Sequence, residues 1–145
     1  MNKGKPWLLA AGVGSFVVAA LHVVIIFIGA SAYRYFGAGE EMASGDEKGS
    51  LIPALITFGI AGIFFVFGMY ALSGAQIVRR FLLVKPVLVV ITAIFLLRGA
   101  GFFIELLGII YNYEVPLRHA VFSFVALLIG LLYLIGTIKA WKNFS

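Results

Sequence analysis

The chain reads as an all-α, polytopic membrane protein, a transmembrane four-helix bundle with both termini in the cytoplasm (N-in/C-in). Three observations predict this. Of its 145 residues, 63% are hydrophobic and only 12% are charged, against about 25% charged in a typical soluble domain. The apolar residues gather in four runs, each close to the ~20 residues needed to cross ~30 Å of hydrocarbon. The basic residues fall mostly between the runs, and they fall unevenly.

The first run, about 7–30, follows Lys3 and Lys5. A basic start before an apolar stretch also opens signal peptides, but the run from Trp7 to Ala30 outlasts their roughly 7–15-residue core. It reads as a first transmembrane helix, with Pro6 in its first turn, where a missing N–H costs nothing. The second run is about 51–72. Ser50 is placed to cap it and Pro53 lies in its first turn. The third, about 86–110, opens at Pro86, and the fourth, about 117–138, follows Pro116. Trp7, Tyr33, Tyr35, Tyr111, Tyr113 and Trp141 stand at run ends, as interfacial aromatic belts do. The whole chain, 1–145, is one membrane domain.

Orientation follows from Lys and Arg. Lys3, Lys5, Arg79, Arg80, Lys85, Lys139 and Lys142 fall on one side; Arg34, Lys48 and Arg118 fall on the other. The richer side is cytoplasmic by the positive-inside rule, in which acids weigh little. The segment of about 31–50 is then an external loop, polar and Gly-rich, carrying Glu40, Glu41, Asp46 and Glu47. A weak internal repeat accompanies this layout: Tyr33-Arg34-Tyr35 follows the first run and Tyr111-Asn112-Tyr113 the third.

Several classes fall away. The chain has no cysteine, so disulfides, thiolate metal sites, c-type haem attachment and thiol redox chemistry are excluded. The net charge of +5 sits at helix ends, where it sets orientation, so no nucleic-acid partner is expected.

The informative residues are those that hydrocarbon rejects. A charge at mid-helix costs roughly 2.5–3.5 kcal/mol on insertion scales, so it faces protein, water or a partner. Arg98 is central in the third run. Glu105, seven residues on, shares its face about two turns outward. His22 lies past the middle of the first run, and His119 enters the fourth from the outer side. Small and polar residues continue each stripe: Gly12, Ser15 and Ala19 with His22, Gly101 and Gly108 with Arg98, Ser123 and Gly130 with His119. Such stripes permit close helix approach and hydrogen bonding across helices. The expected arrangement is a left-handed bundle, polar inside toward the outer leaflet. Glu105 would meet Arg118, His119 or His22, and Arg98 a loop acid, Glu40 or Glu41. Equally, buried polar pairs can serve only to fix helix register.

The expected ligand-binding residues are His22, Arg98, Glu105, His119 and Ser123, with Tyr33 and Tyr35 at the mouth of an outward-facing polar pocket for a lipid-like or other apolar small molecule. A non-catalytic accessory or structural subunit is the alternative. A small transporter or an intramembrane isomerase working through Glu105 with His22 or His119 is a further one. No reaction is read from the sequence and no metal or cofactor is expected, because His22 and His119 are the only histidines and their spacing is not diagnostic of haem or divalent metal. The expected partners are membrane lipids and such a ligand, with a homo-oligomer or larger membrane complex open.

Leu21-His22, the stretch Tyr33-Arg34-Tyr35-Phe36-Gly37-Ala38-Gly39-Glu40, Tyr70-Ala71-Leu72-Ser73-Gly74 and Leu97-Arg98-Gly99 together resemble small four-helix bacterial inner-membrane proteins to which no activity is attached. In general build the chain is similar to DoxX-type membrane proteins. These resemblances imply a bacterial inner-membrane location and supply no site.

Overall fold

The computed structural model describes residues 1–144. It is all-α: α1 (Lys5–Ile28), α2 (Ala30–Tyr35), α3 (Glu40–Glu47), α4 (Ile52–Gly74), α5 (Val84–Ile110) and α6 (Leu117–Ala140), then a 3-10 turn at Trp141–Phe144, with no strand among the described residues. Four of these helices, α1, α4, α5 and α6, are long and apolar enough to span a membrane. Many of their residues are β-branched, which in water would weaken a helix. In hydrocarbon every backbone N–H and C=O must be satisfied within the segment, and the helix does that. Only 22–39% of each span's most apolar stretch is buried by the rest of the protein. The remainder is apolar surface, exposed at Phe27, Leu97 and Ile104 among others, a surface suited to lipid and not to water.

Two compact units make up the chain, Ser15–Val66 and a second formed by Met1–Gly14 with Phe67–Ser145. In the first, the polar segment 31–50 is not the plain loop its composition suggests: it folds into α2 and α3. Gly29 makes the break from α1 with φ +83°, and a Cβ there would lie 2.6 Å from Asp46 Oδ2, so only glycine fits. That same Asp46 oxygen accepts the Ala30 N–H at 2.9 Å and caps α2 from α3. Tyr33, 1% exposed, packs with Ile25, Ala32 and Ala43 beneath Phe36 and Met42. The Thr57 hydroxyl on α4 hydrogen-bonds both the Tyr33 hydroxyl (3.4 Å) and the Pro53 carbonyl (2.8 Å). Ser50 Oγ accepts the Ile52 N–H (3.2 Å) from one residue before the cap position, which Leu51 occupies because α4 begins at Ile52.

The second unit is built on α5 against α6. Their backbones meet at Gly99, where a Cβ would stand 2.5 Å from the Leu127 Cα; small residues let membrane helices gain packing through such contact. Tyr133, fully buried on α6, stacks on Phe95 of α5 and donates its hydroxyl to the Phe67 carbonyl of α4 at 3.0 Å. At one end of this unit the Asn2 amide donates to the Gly74 carbonyl (3.0 Å). There Lys139 Nζ lies 4.7 Å from the Trp7 ring centre and Lys85 Nζ 5.1 Å from that of Trp141. Five of the seven predicted cytoplasmic-side cations, Lys3, Lys5, Lys85, Lys139 and Lys142, belong to the helix ends and flanks gathered here, and Arg79 and Arg80 to the α4–α5 connection.

The two Tyr-x-Tyr segments do not share a conformation. Tyr33 and Tyr35 are helical, whereas Asn112 takes a left-handed φ of 60° and ends α5, with the Tyr113 N–H returning to the Gly108 carbonyl at 2.9 Å. The repeat visible in sequence is therefore not one of local structure.

Candidate functional site

Arg98 sits near the middle of α5, 14 residues from Val84 and 12 from Ile110. It is exposed, in the part of the span where hydrocarbon is expected. Its Nη1 donates to Ser123 Oγ, which is itself 0% exposed on α6. Gly101 lies beside this bond, and a Cβ there would fit in ordinary contact. A Cβ on that residue would come within 3.5 Å of Ser123 Oγ, 3.7 Å of Arg98 Nη1 and 4.0 Å of Glu105 Oε1. Three polar side chains thus converge over one glycine, a polar notch on the α5–α6 face. Arg98 and Glu105 form no ion pair with each other among the described residues, and Glu105 Oε2 is buried without a hydrogen-bond partner. The notch therefore holds a guanidinium anchored by a neutral hydroxyl and a carboxylate oxygen with unused capacity, inside an apolar layer where both are expensive.

Of the seven residues read from sequence, the structure brings together three: Arg98, Glu105 and Ser123. His119 is half-buried in the first turn of α6, one turn before Ser123 on the same face. His22, Tyr33 and Tyr35 belong to the other unit. His22 is engaged locally: its Nδ1 donates to the Val18 carbonyl (2.8 Å), and its ring lies 5.2 Å from that of Phe64. That leaves Nε2 as its one nitrogen for any ligand. Tyr33 is a core residue rather than part of an exposed mouth, and Tyr35 is exposed with its ring edge-on to Phe36.

Sequence reasoning missed the partner of Glu40. Arg34, not Arg98, takes it. Arg34 donates to both oxygens of Glu40 (3.0 and 2.7 Å) and both of Glu47 (2.7 and 3.1 Å), tying α2 to α3. The signal was present: Glu40 and Glu47 are seven residues apart, which puts them on one face if 40–47 is helical. Hydrogen bonds from Arg34 hold both carboxyls below the usual carboxylate range, and the same bonds raise the Arg34 guanidinium above its own.

An apolar groove of about 650 Å³ also marks the Ser15–Val66 unit. Its floor is Ala19, Ala20, Ala61 and Gly62, between walls that include Phe16 and Phe58. No group of three or more His, Asp or Glu side chains is arranged to hold a metal ion among the described residues.

The fold and this chemistry define a multi-pass, helical membrane protein with ionisable groups inside its spans. No family model, curated protein or solved structure matches the chain.

Proposed function

We propose that this chain is a bacterial inner-membrane protein, with both termini cytoplasmic, that binds a lipid-like amphiphile by its polar end at Arg98, Ser123 and Glu105. The carrying observation is the exposed Arg98 guanidinium at mid-span whose one partner among the described residues is a hydroxyl. A charge there is stabilised by an acceptor brought to it, such as a carbonyl, carboxylate or phosphate oxygen on an otherwise apolar molecule. Glu105 Oε2 supplies a second point of attachment for a ligand donor or a shared proton. Glu105 lies toward the 111–116 connection, which the charge asymmetry puts outside, so the notch faces the outer leaflet. The Ser15–Val66 unit carries its own apolar groove, with a volume in the range usual for small-molecule sites and a lining that suits an acyl chain.

The test is native mass spectrometry of the protein extracted in mild detergent. The intact chain should carry a lipid-like adduct, and Arg98→Gln should lose it while keeping its helicity and elution volume. An adduct retained equally by Arg98→Gln, or none in either protein, would refute the reading. An accessory-subunit role is favoured by one feature: Gly59 and Gly62 on α4 have open space where a Cβ would stand, as a docking helix requires. Because the chain has no other cysteine, Gly62→Cys in intact membranes answers this directly. A discrete crosslinked species there, with no adduct at Arg98, would favour the subunit role.

A further inference from the structure

Arg98 and Glu105 face the same small space without meeting. From the point where a Gly101 Cβ would stand, Arg98 Nη1 is 3.7 Å away and Glu105 Oε1 is 4.0 Å away, so the two atoms are closer together than the sum of those distances. Seven residues along a helix axis would by themselves set them about 10 Å apart; the Arg98 side chain therefore leans along α5 toward Glu105. No hydrogen bond or ion pair joins the two among the described residues, and Glu105 Oε2 is buried with no hydrogen-bond partner. Ser123 Oγ, 0% exposed, already accepts from Arg98. Gly101 beside Ser123 and Gly108 on Val115 set an antiparallel register. It places the first turn of α6, with Arg118 and His119, opposite Glu105, and exposed Glu114 follows in the connection.

The two sides of this space call for different atoms. A guanidinium only donates, and an ionised carboxylate only accepts. The head group that fits accepts toward Arg98 and brings a proton toward Glu105. A carboxyl group does both with its two oxygens, and two carboxyls close together hold one proton between them. A phosphodiester accepts from Arg98, but it has no proton for Glu105 and meets that carboxylate as a like charge. An alcohol donates to Glu105 and gives Arg98 only a neutral acceptor. An ester carbonyl serves Arg98 alone. Depth selects the same head. Arg98 is near the centre of α5, whereas lipid phosphates lie at the edges of a hydrocarbon core about 30 Å thick. A carboxylic acid enters hydrocarbon neutral, keeping its proton, so the bound set of guanidinium, ionised Glu105 and acid has no net charge. Exposed Ile94 and Leu97 adjoin Arg98 on α5 and offer the acid's chain an apolar bed.

Resting on the Arg98 site proposed above, we infer that the amphiphile held there is a long-chain carboxylic acid, its carboxyl lying between the Arg98 guanidinium and Glu105 and sharing its proton with Glu105. The full chain in mild detergent is mixed with equal amounts of palmitic acid, methyl palmitate, hexadecanol and phosphatidylglycerol, and retained ligand is read by native mass spectrometry. Palmitic acid should be retained at least about ten-fold over each of the others, the scale of one hydrogen bond to a charged group. Arg98→Gln should lose that retention. Glu105→Leu leaves the second ligand oxygen without a partner and should lower retention about ten-fold. Glu105→Gln, whose amide donates in place of the shared proton, should keep it. The ligand series on the unaltered chain decides the matter even where Glu105→Leu folds poorly. Arg98-dependent retention of the ester, the alcohol or the phospholipid as strong as that of the acid would overturn the carboxyl identity and leave the Arg98 site standing. Full retention of the acid in Glu105→Leu, or equal loss in both Glu105 variants, would do the same. Absence of Arg98-dependent retention of any of the four would overturn both.

Discussion

Two arginines, Arg34 and Arg98, show how differently the same group is treated in two parts of this molecule. Arg34 lies outside the spans, exposed, and makes four hydrogen bonds to two carboxylates. Arg98 lies inside a span and has one neutral hydroxyl. In water a bare guanidinium costs little, and exposed ion pairs contribute little; in hydrocarbon the same group is expensive. The protein thus satisfies the charge that needs it least and leaves short of partners the one that needs it most. Folding economy does not explain that pattern; the ligand proposed at Arg98 would supply the missing partner.

The largest expected effect lies in the frame that holds Arg98 beside Ser123. Gly99→Leu would drive a side chain into the Leu127 backbone and should cost about 3 kcal/mol or more. Steric-trap unfolding or a thermal scan in detergent would measure it, and a wild-type midpoint would show that α5 and α6 do not meet here. Arg98→Gln should separate binding from folding: bound amphiphile falls at least about ten-fold, as losing a hydrogen bond to a charged group implies, with stability equal to wild type or higher. If instead Arg98→Gln unfolds the protein, Arg98 is a structural group and the contrast with Arg34 disappears.

Smaller effects belong to the segment between the first two spans. Asp46→Ala removes the cap on α2 and should cost about 1 kcal/mol, seen as faster amide exchange at Ala30 with the spans unchanged. The Arg34 clasp responds to pH with a definite sign. Glu40 and Glu47 have folded-state pKa values below the ordinary 4.5, so their contribution is complete above that value. It is lost as pH falls through the depressed range. Amide exchange over 30–48 should be flat from neutral pH to about 5 and rise only in stronger acid. Arg34→Gln should abolish that pH dependence. A rise centred near neutral pH would assign the change to another group.

Much of the architecture was legible in sequence because hydrocarbon is a blunt selector. Four apolar runs of sufficient length could only become helices, and Ser50, Pro53, Pro86 and Pro116 bounded them to within a few residues. The segment between the first two spans was misread because its signal is tertiary. Glycines and charges between Ser31 and Ser50 look like a loop until Asp46 reaches Ala30 and Arg34 gathers Glu40 and Glu47. The candidate site was legible in part. Arg98, Ser123 and Glu105 stood out as polar residues on small-residue faces, and they do converge. Tyr33 looked like the same kind of residue, but it is a core anchor, because an aromatic near a helix end can turn either inward or toward the interface.

By itself the sequence determined that the chain crosses a membrane with four helices and where each crosses. Length and hydropathy settle that, since the bilayer leaves a long apolar segment no other backbone-satisfied form. Stripes of small and polar residues marked part of the inward face in sequence, since Ser15, Ala19 and Ser123 are buried, but the rest of each inner face was decided only by tertiary structure. These spans are apolar nearly all round, so no moment marks an inner face, and the choice falls to a few contacts such as Gly99 on Leu127 and Tyr133 on Phe95. That choice left Arg98 exposed with Ser123 as its anchor, and with it the site on which the proposed function rests.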